Sequence, residues 1–147
     1  DVLPDGGGIE LGGKRVYLAH GDLANPDDTG YRWLRKLLRS VLIRFLLRTL
    51  PVALIQLIAN RASYESRRNG QDKRQRWPAR NILQPYAEAL IAKGYQAVIT
   101  GHYHEPLHLE LDGGELIALG DWIDPYSYAE YQEGEFKLRH YSPTTTD

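Results

Sequence analysis

Gln96-Ala97-Val98-Ile99-Thr100-Gly101-His102-Tyr103-His104 places a short apolar run directly before a glycine and two histidines. Bounded by turn residues, that run predicts a buried strand over 96–100 with its polar groups gathered at the C-terminal end. Loops leaving the C-terminal ends of strands are where sites collect in layered α/β folds. If strand geometry continued past Thr100, His102 and His104 would leave the backbone in the same general direction, since side chains two apart share a face. Neutral imidazoles so placed suit Zn, Mn, Fe or Ni, on one ion or on neighbouring ones.

A second element has the same form. Lys14–Ala19 is a β-favouring run after a glycine-rich turn, and it stops at His20-Gly21-Asp22. His20, His102 and His104 are therefore expected to converge at the C-terminal edge of one sheet. His108 and His140 sit in ordinary β context and read as structural. Asp121, in Leu119-Gly120-Asp121-Trp122, reads either as a turn acid or as a partner to a metal ligand, the turn being the default.

Between these strands Asn25-Pro26-Asp27-Asp28-Thr29-Gly30 is a turn and helix-cap cluster. Tyr31–Thr49 then repeats apolar residues among Arg32, Arg35, Lys36, Arg39, Arg44 and Arg48 at helical separations, which predicts an amphipathic helix with a basic edge. Pro51 ends or kinks it, and Val52–Ala59 resumes as a second helix. Arg61–Arg80 is basic, poor in aliphatics and carries Asn69-Gly70, so a mobile surface loop is expected there. Asn81–Lys93 reads as a helix with Ile82, Leu83, Tyr86, Ala89, Leu90 and Ile91 on its apolar side. The last third is β in character: Leu107–Leu111, a turn at Asp112-Gly113-Gly114, Glu115–Leu119, then Tyr126–Gln132 and Glu135–Tyr141. There is no internal repeat.

Composition narrows the classes. With 147 residues, 42% hydrophobic and 25% charged, the chain has the profile of one globular domain, neither fibrous nor disordered. The formal net charge of −1 conceals an asymmetry: residues 31–80 carry a net +11 and the remainder −12. A cationic segment on an acidic body points to an anionic partner. The absence of cysteine excludes disulfides, thiolate ligands and a thiol nucleophile, so any metal is held by His, carboxylate or amide groups. Residues 1–8 have no basic start and no apolar core and do not read as a secretion signal. Leu37–Ala59 approaches the length of a membrane span, but three internal arginines, each costing about 2.5–3.5 kcal/mol at a bilayer centre, argue against one.

In this order, His20-Gly21-Asp22, Gly101-His102-Tyr103-His104 and Leu119-Gly120-Asp121-Trp122 resemble the C-terminal half of a calcineurin-like metallophosphoesterase. Within that superfamily the chain is most similar to the UDP-2,3-diacylglucosamine hydrolases of lipid A synthesis, through Asp27-Asp28-Thr29-Gly30-Tyr31 and the helical insertion before the Gly-His-x-His strand. The resemblance covers about Lys14 to Tyr141. It implies an α/β fold, the C-terminal half of a four-layer αββα sandwich, with residues 31–80 inserted as a helical lid. It implies two divalent ions, manganese first, with His20 and His102 on one and His104 on the other. It also implies substrate contacts at Asp28, Tyr31, Arg61 and Ser63, although the lysines the family pattern places soon after are Arg67 and Arg68 here. The reaction implied is hydrolysis of the substrate's pyrophosphate, releasing UMP and the acylated sugar phosphate.

Under that reading Leu37, Leu38, Val41, Leu42, Phe45, Leu46, Leu54 and Leu57 would form an apolar groove for acyl chains. The arginines would favour an anionic inner-membrane surface, making the protein cytoplasmic and peripheral to that membrane. Nucleic acid is not an expected partner, because Arg61–Arg80 lacks interleaved aromatic platforms. The family pattern also needs D-x-H, G-D and G-N-H or G-N-R elements ahead of His20, and the chain has no D-x-H. It is therefore expected to be a piece of a longer enzyme, inactive alone. The alternatives are a metallophosphoesterase acting on nucleotides or phosphoproteins, and a non-catalytic module that binds anionic lipid.

Overall fold

The computed structural model describes residues 3, 5–122 and 126–142, so Asp1, Val2 and Pro4 of the N-terminal reading lie outside the described residues. The chain divides into two compact units, one made of Asp1–Asn25 with Ala79–Asp147 and the other of Pro26–Pro78. The first is α/β, as expected. Its strands are β1 (Gly7–Leu11), β2 (Lys14–Ala19), β3 (Ala97–Thr100), β4 (Leu107–Leu111), β5 (Gly114–Ala118), β6 (Ser127–Gln132) and β7 (Glu135–His140).

Five strands form one sheet in the order β1-β2-β3-β5-β4. β2, β3 and β5 are parallel neighbours, in register Ala19 with Thr100 and Thr100 with Ala118, while β1 and β4 pair antiparallel at the edges. β1 was not anticipated. It forms because Gly12 and Gly13, at φ 58° and 81°, make the two-residue turn that returns the chain into β2.

Alternation along the strands sorts the core into two sets. Val98, Leu116 and Ala118 face Leu83, Ala87 and Leu90 of a helix spanning Ala79–Ile91. Val16, Ala97 and Ile117 face Phe136, with Ala129, Tyr131 and Leu138 beside it, from the β6-β7 hairpin. The sheet thus has a helix on one face and a hairpin on the other. Ala87, rather than the expected Ala89, lies on the buried side of that helix.

Tyr86, on the same helix, has its hydroxyl pKa pushed up to about 12, chiefly by burial and further by Tyr17 and by the charge of Asp22. A phenol whose folded pKa lies above its unfolded value contributes stability below the unfolded pKa of about 10 and loses it as pH rises through the folded one. Stability is accordingly expected to fall between about pH 10 and pH 12, and Tyr86→Phe to flatten that part of the urea-midpoint profile. An unchanged slope in the variant would assign the loss to other groups.

In the second unit the expected helix over 31–49 is two helices, α1 (Thr29–Leu38) and α2 (Val41–Thr49). The break follows from Ser40, whose Oγ accepts from Ile43 N at 3.2 Å and caps a new helix. Leu50 is extended, as the residue before a proline should be, and α3 starts at Val52. The expected loop at Arg61–Arg80 is a correction: α3 runs on to Arg76 through Asn69-Gly70, and the Ala79–Ile91 helix, α4, begins three residues later. Arg, Lys, Gln and Glu are good helix formers, and a lone interior glycine costs only about 1 kcal/mol.

Candidate active site

The parallel order of β2, β3 and β5 brings three exit loops side by side: His20-Gly21-Asp22, Gly101–His104 and Leu119–Trp122. The ladder extends into them. Gly101 N donates to His20 O at 3.1 Å, and Leu119 N to Thr100 O at 2.7 Å. Gly21 sits at φ 95°, and a Cβ there would lie 3.0 Å from Gly101 O and 3.4 Å from the Thr100 Cβ. Only glycine lets the β2 loop pass so close to the β3 loop.

His102 Nδ1 lies 3.3 Å from His20 Nε2, with the rings edge to face at 77°. His104 does not join them as the continued-strand argument expected. His102 and His104 both adopt left-handed backbone, φ 71° and 55°, and Tyr103 N folds back onto Gly101 O at 2.9 Å. The chain turns between the two histidines, and His104 Nδ1 instead meets Asp121 Oδ2 at 3.2 Å. Left-handed non-glycine residues cost of order 1–3 kcal/mol each and cluster at functional sites.

The donor set fits divalent metal in part. Two imidazole nitrogens 3.3 Å apart match two ligands on one ion at about 2.0–2.1 Å each. Among the described residues no group of three or more His, Asp or Glu side chains converges as a metal cage, so the histidines stand as a pair and a single ligand candidate. Beside them a recess of about 350 Å³ is lined by His20, Gly101 and Thr100 together with apolar Leu18, Ile99 and Leu119. Thr100 Oγ1 is buried and has no hydrogen-bond partner among the described residues.

The other predicted residues have plainer settings. Asp28 Oδ1 accepts from Tyr31 N at 3.1 Å, so the two are joined as the N-cap of α1. Arg61 and Ser63 are exposed on α3, about 200° apart around its axis. The side chains of Arg67 and Arg68 lie outside the described ones. His108 Nε2 binds Glu115 Oε2 at 2.8 Å across β4 and β5, a structural contact. Asp121, which the sequence reads as a turn acid by default and as a partner to a metal ligand otherwise, meets His104. The signal was its position after an apolar strand, but its use depends on β5 lying next to β3.

No family profile matches the chain. It is 36% identical over 129 residues to a UDP-2,3-diacylglucosamine hydrolase of Pseudomonas putida (strain W619), covering 82% of this chain and 52% of the relative. Proteins of the same name from Aeromonas hydrophila and Aeromonas salmonicida are 32% and 34% identical, covering 91% and 93% of this chain and 57% and 55% of theirs. The chain spans about half the length of the curated relatives it matches, and the matched half is the C-terminal one.

Proposed function

We propose that this chain, a homologue of the C-terminal half of the UDP-2,3-diacylglucosamine hydrolases, supplies part of the catalytic centre of a metal-dependent pyrophosphohydrolase. The substrate is UDP-2,3-diacylglucosamine and the products are UMP and the acylated glucosamine 1-phosphate. The observation that supports this most is the meeting of His20 and His102 at 3.3 Å from parallel neighbouring strands, with His104 one turn away in the same loop. His20 and His102 would hold one divalent ion and His104 a second, with manganese the first choice. Such ions supply Lewis acidity toward phosphoryl oxygens and a nucleophile at neutral pH. The helix, sheet and hairpin layers are, on this reading, one part of a four-layer αββα sandwich.

The Pro26–Pro78 unit supports a lipid substrate and an anionic membrane surface. Val41, Leu42, Phe45 and Leu57 are 76%, 67%, 63% and 66% exposed, although an apolar helix face is ordinarily core. Arg35, Lys36 and Arg48 stand in the last turns of α1 and α2, and each well-placed cation is worth about 1 kcal/mol at an anionic surface. Among the described residues no helix is long and apolar enough to cross a membrane. On this reading the protein works at the cytoplasmic face of the inner membrane, with Asp28, Tyr31, Arg61 and Ser63 as substrate contacts. Vesicles containing acidic lipid are expected to sediment the chain, and Leu42→Glu with Phe45→Glu to reduce the bound fraction at least about tenfold. Equal sedimentation of the double variant would remove α2 from the membrane contact.

Three histidines shared between two ions leave both coordination shells open, so the purified 147 residues are expected to release negligible UMP. A fusion to the N-terminal half of the Pseudomonas putida relative is expected to restore manganese-dependent release from the UDP-linked lipid. Robust turnover by the chain alone would refute the division of ligands. A fusion active only on a generic phosphodiester would instead indicate a metallophosphoesterase of other specificity.

A further inference from the structure

We infer that Asp121 is a positioning residue, whose carboxylate holds the ring of His104 so that Nε2 is its metal-facing nitrogen. The inference rests on the proposed metal-binding role of His104.

Asp121 is sequestered more than its partner, its side chain being 21% exposed against 51% for His104, and its Oδ2 lies 3.2 Å from His104 Nδ1. An ionised carboxylate only accepts, so at this 3.2 Å contact it favours the proton on Nδ1 and leaves the Nε2 lone pair available. Histidine ligands commonly donate their other ring N–H to a carboxylate or carbonyl in this way, which fixes both tautomer and ring orientation.

The loop carrying Asp121 is built for position. Leu119 N is tied to Thr100 O at 2.7 Å, on the very strand that launches His104. Gly120 N donates to Ser127 Oγ at 2.8 Å, and Ser127, at the start of β6, is only 2% exposed. On the other side Trp122 packs against Tyr126 and Tyr141, with ring centroids 6.1 Å away in each case. The backbone ahead of Asp121 is thereby tied to β3 and β6, and the side chain that follows it packs at the hairpin end. His104 itself is held at φ 55°.

The test uses the 147-residue chain with its histidine rings labelled with nitrogen-15, read first without metal at a pH where the imidazoles are neutral. The expected spectrum places the His104 proton on Nδ1 in the wild type, and that preference is lost in Asp121→Ala while the His20 and His102 signals stay in place. A wild-type His104 protonated on Nε2 would overturn the inference outright, whether or not the variant folds. Manganese is then titrated and paramagnetic broadening of the three rings followed. In Asp121→Ala the concentration that half-broadens His104 is expected to rise about 10–100-fold, the usual cost of losing such a partner. A rise below about twofold would overturn the role of Asp121. Absence of broadening at all three wild-type rings would overturn the metal reading itself, a result distinguishable from the tautomer readout.

Discussion

His104→Ala, introduced into the fusion with the Pseudomonas putida N-terminal half, is expected to lower kcat for UMP release by more than about a hundredfold at saturating manganese. The scale follows from ligand chemistry: losing a residue that merely supports a ligand costs 10–100-fold, so losing the ligand should cost at least the upper end. The fold should not suffer. The His104 side chain is 51% exposed and belongs to neither buried apolar cluster, and the Asp121 carboxylate, 21% exposed, can be rehydrated once the ring is gone. The urea midpoint is therefore expected to stay close to that of the parent, which separates loss of chemistry from loss of structure. His20→Ala and His102→Ala should behave alike, because His102 Nδ1 and His20 Nε2 meet at 3.3 Å. Activity within a few-fold of the parent in the His104 variant would refute its assignment as a ligand.

The parts of this arrangement that could be read from sequence are those in which burial leaves a period. Ala97-Val98-Ile99-Thr100 and Lys14–Ala19 declare themselves as strands, and the ends of those strands declare where His20 and His102 must be. Their meeting follows once β2 and β3 are parallel neighbours, which is the ordinary expectation for a sheet with a helical crossover. The less legible parts lack such a period. Gly7–Leu11 begins with two glycines, poor strand formers, and becomes a strand through pairing with β2 and not through propensity. The 61–76 half of α3 has no apolar stripe, so a reading based on hydrophobic period finds loop where intrinsic propensity sustains a helix. Asp121 was hidden differently. Its partner lies across a strand pair whose adjacency, β3 with β5, skips β4, and no local pattern states that order. The left-handed turns at His102 and His104 are likewise a tertiary outcome, for which histidine, enriched there but mostly found elsewhere, gives a far weaker signal than glycine.

That dependence of the site on the sheet gives the other large effect, at Leu83. Leu83 is fully buried on α4 and shares a cluster with Val98 and Leu116, the apolar residues of the two strands that launch the His104 and Asp121 loops. Leu83→Ala is expected to cost about 2–5 kcal/mol, the lost transfer free energy plus a cavity that α4 cannot collapse because Ala79, Ala87 and Leu90 already fix it to the sheet. Against a total stability of about 5–15 kcal/mol for a domain, that is a large fraction. It should appear as a lowered urea midpoint at unchanged slope, since the surface exposed on unfolding is nearly the same. The same cavity lies under β3, so in the fusion the variant should lose manganese affinity at temperatures where it is still folded. A midpoint shift worth less than about 1 kcal/mol would mean that α4 is not held against β3 and β5 by this contact. The strands would then be positioned by the hairpin face alone, where Phe136 packs on Val16, Ala97 and Ile117.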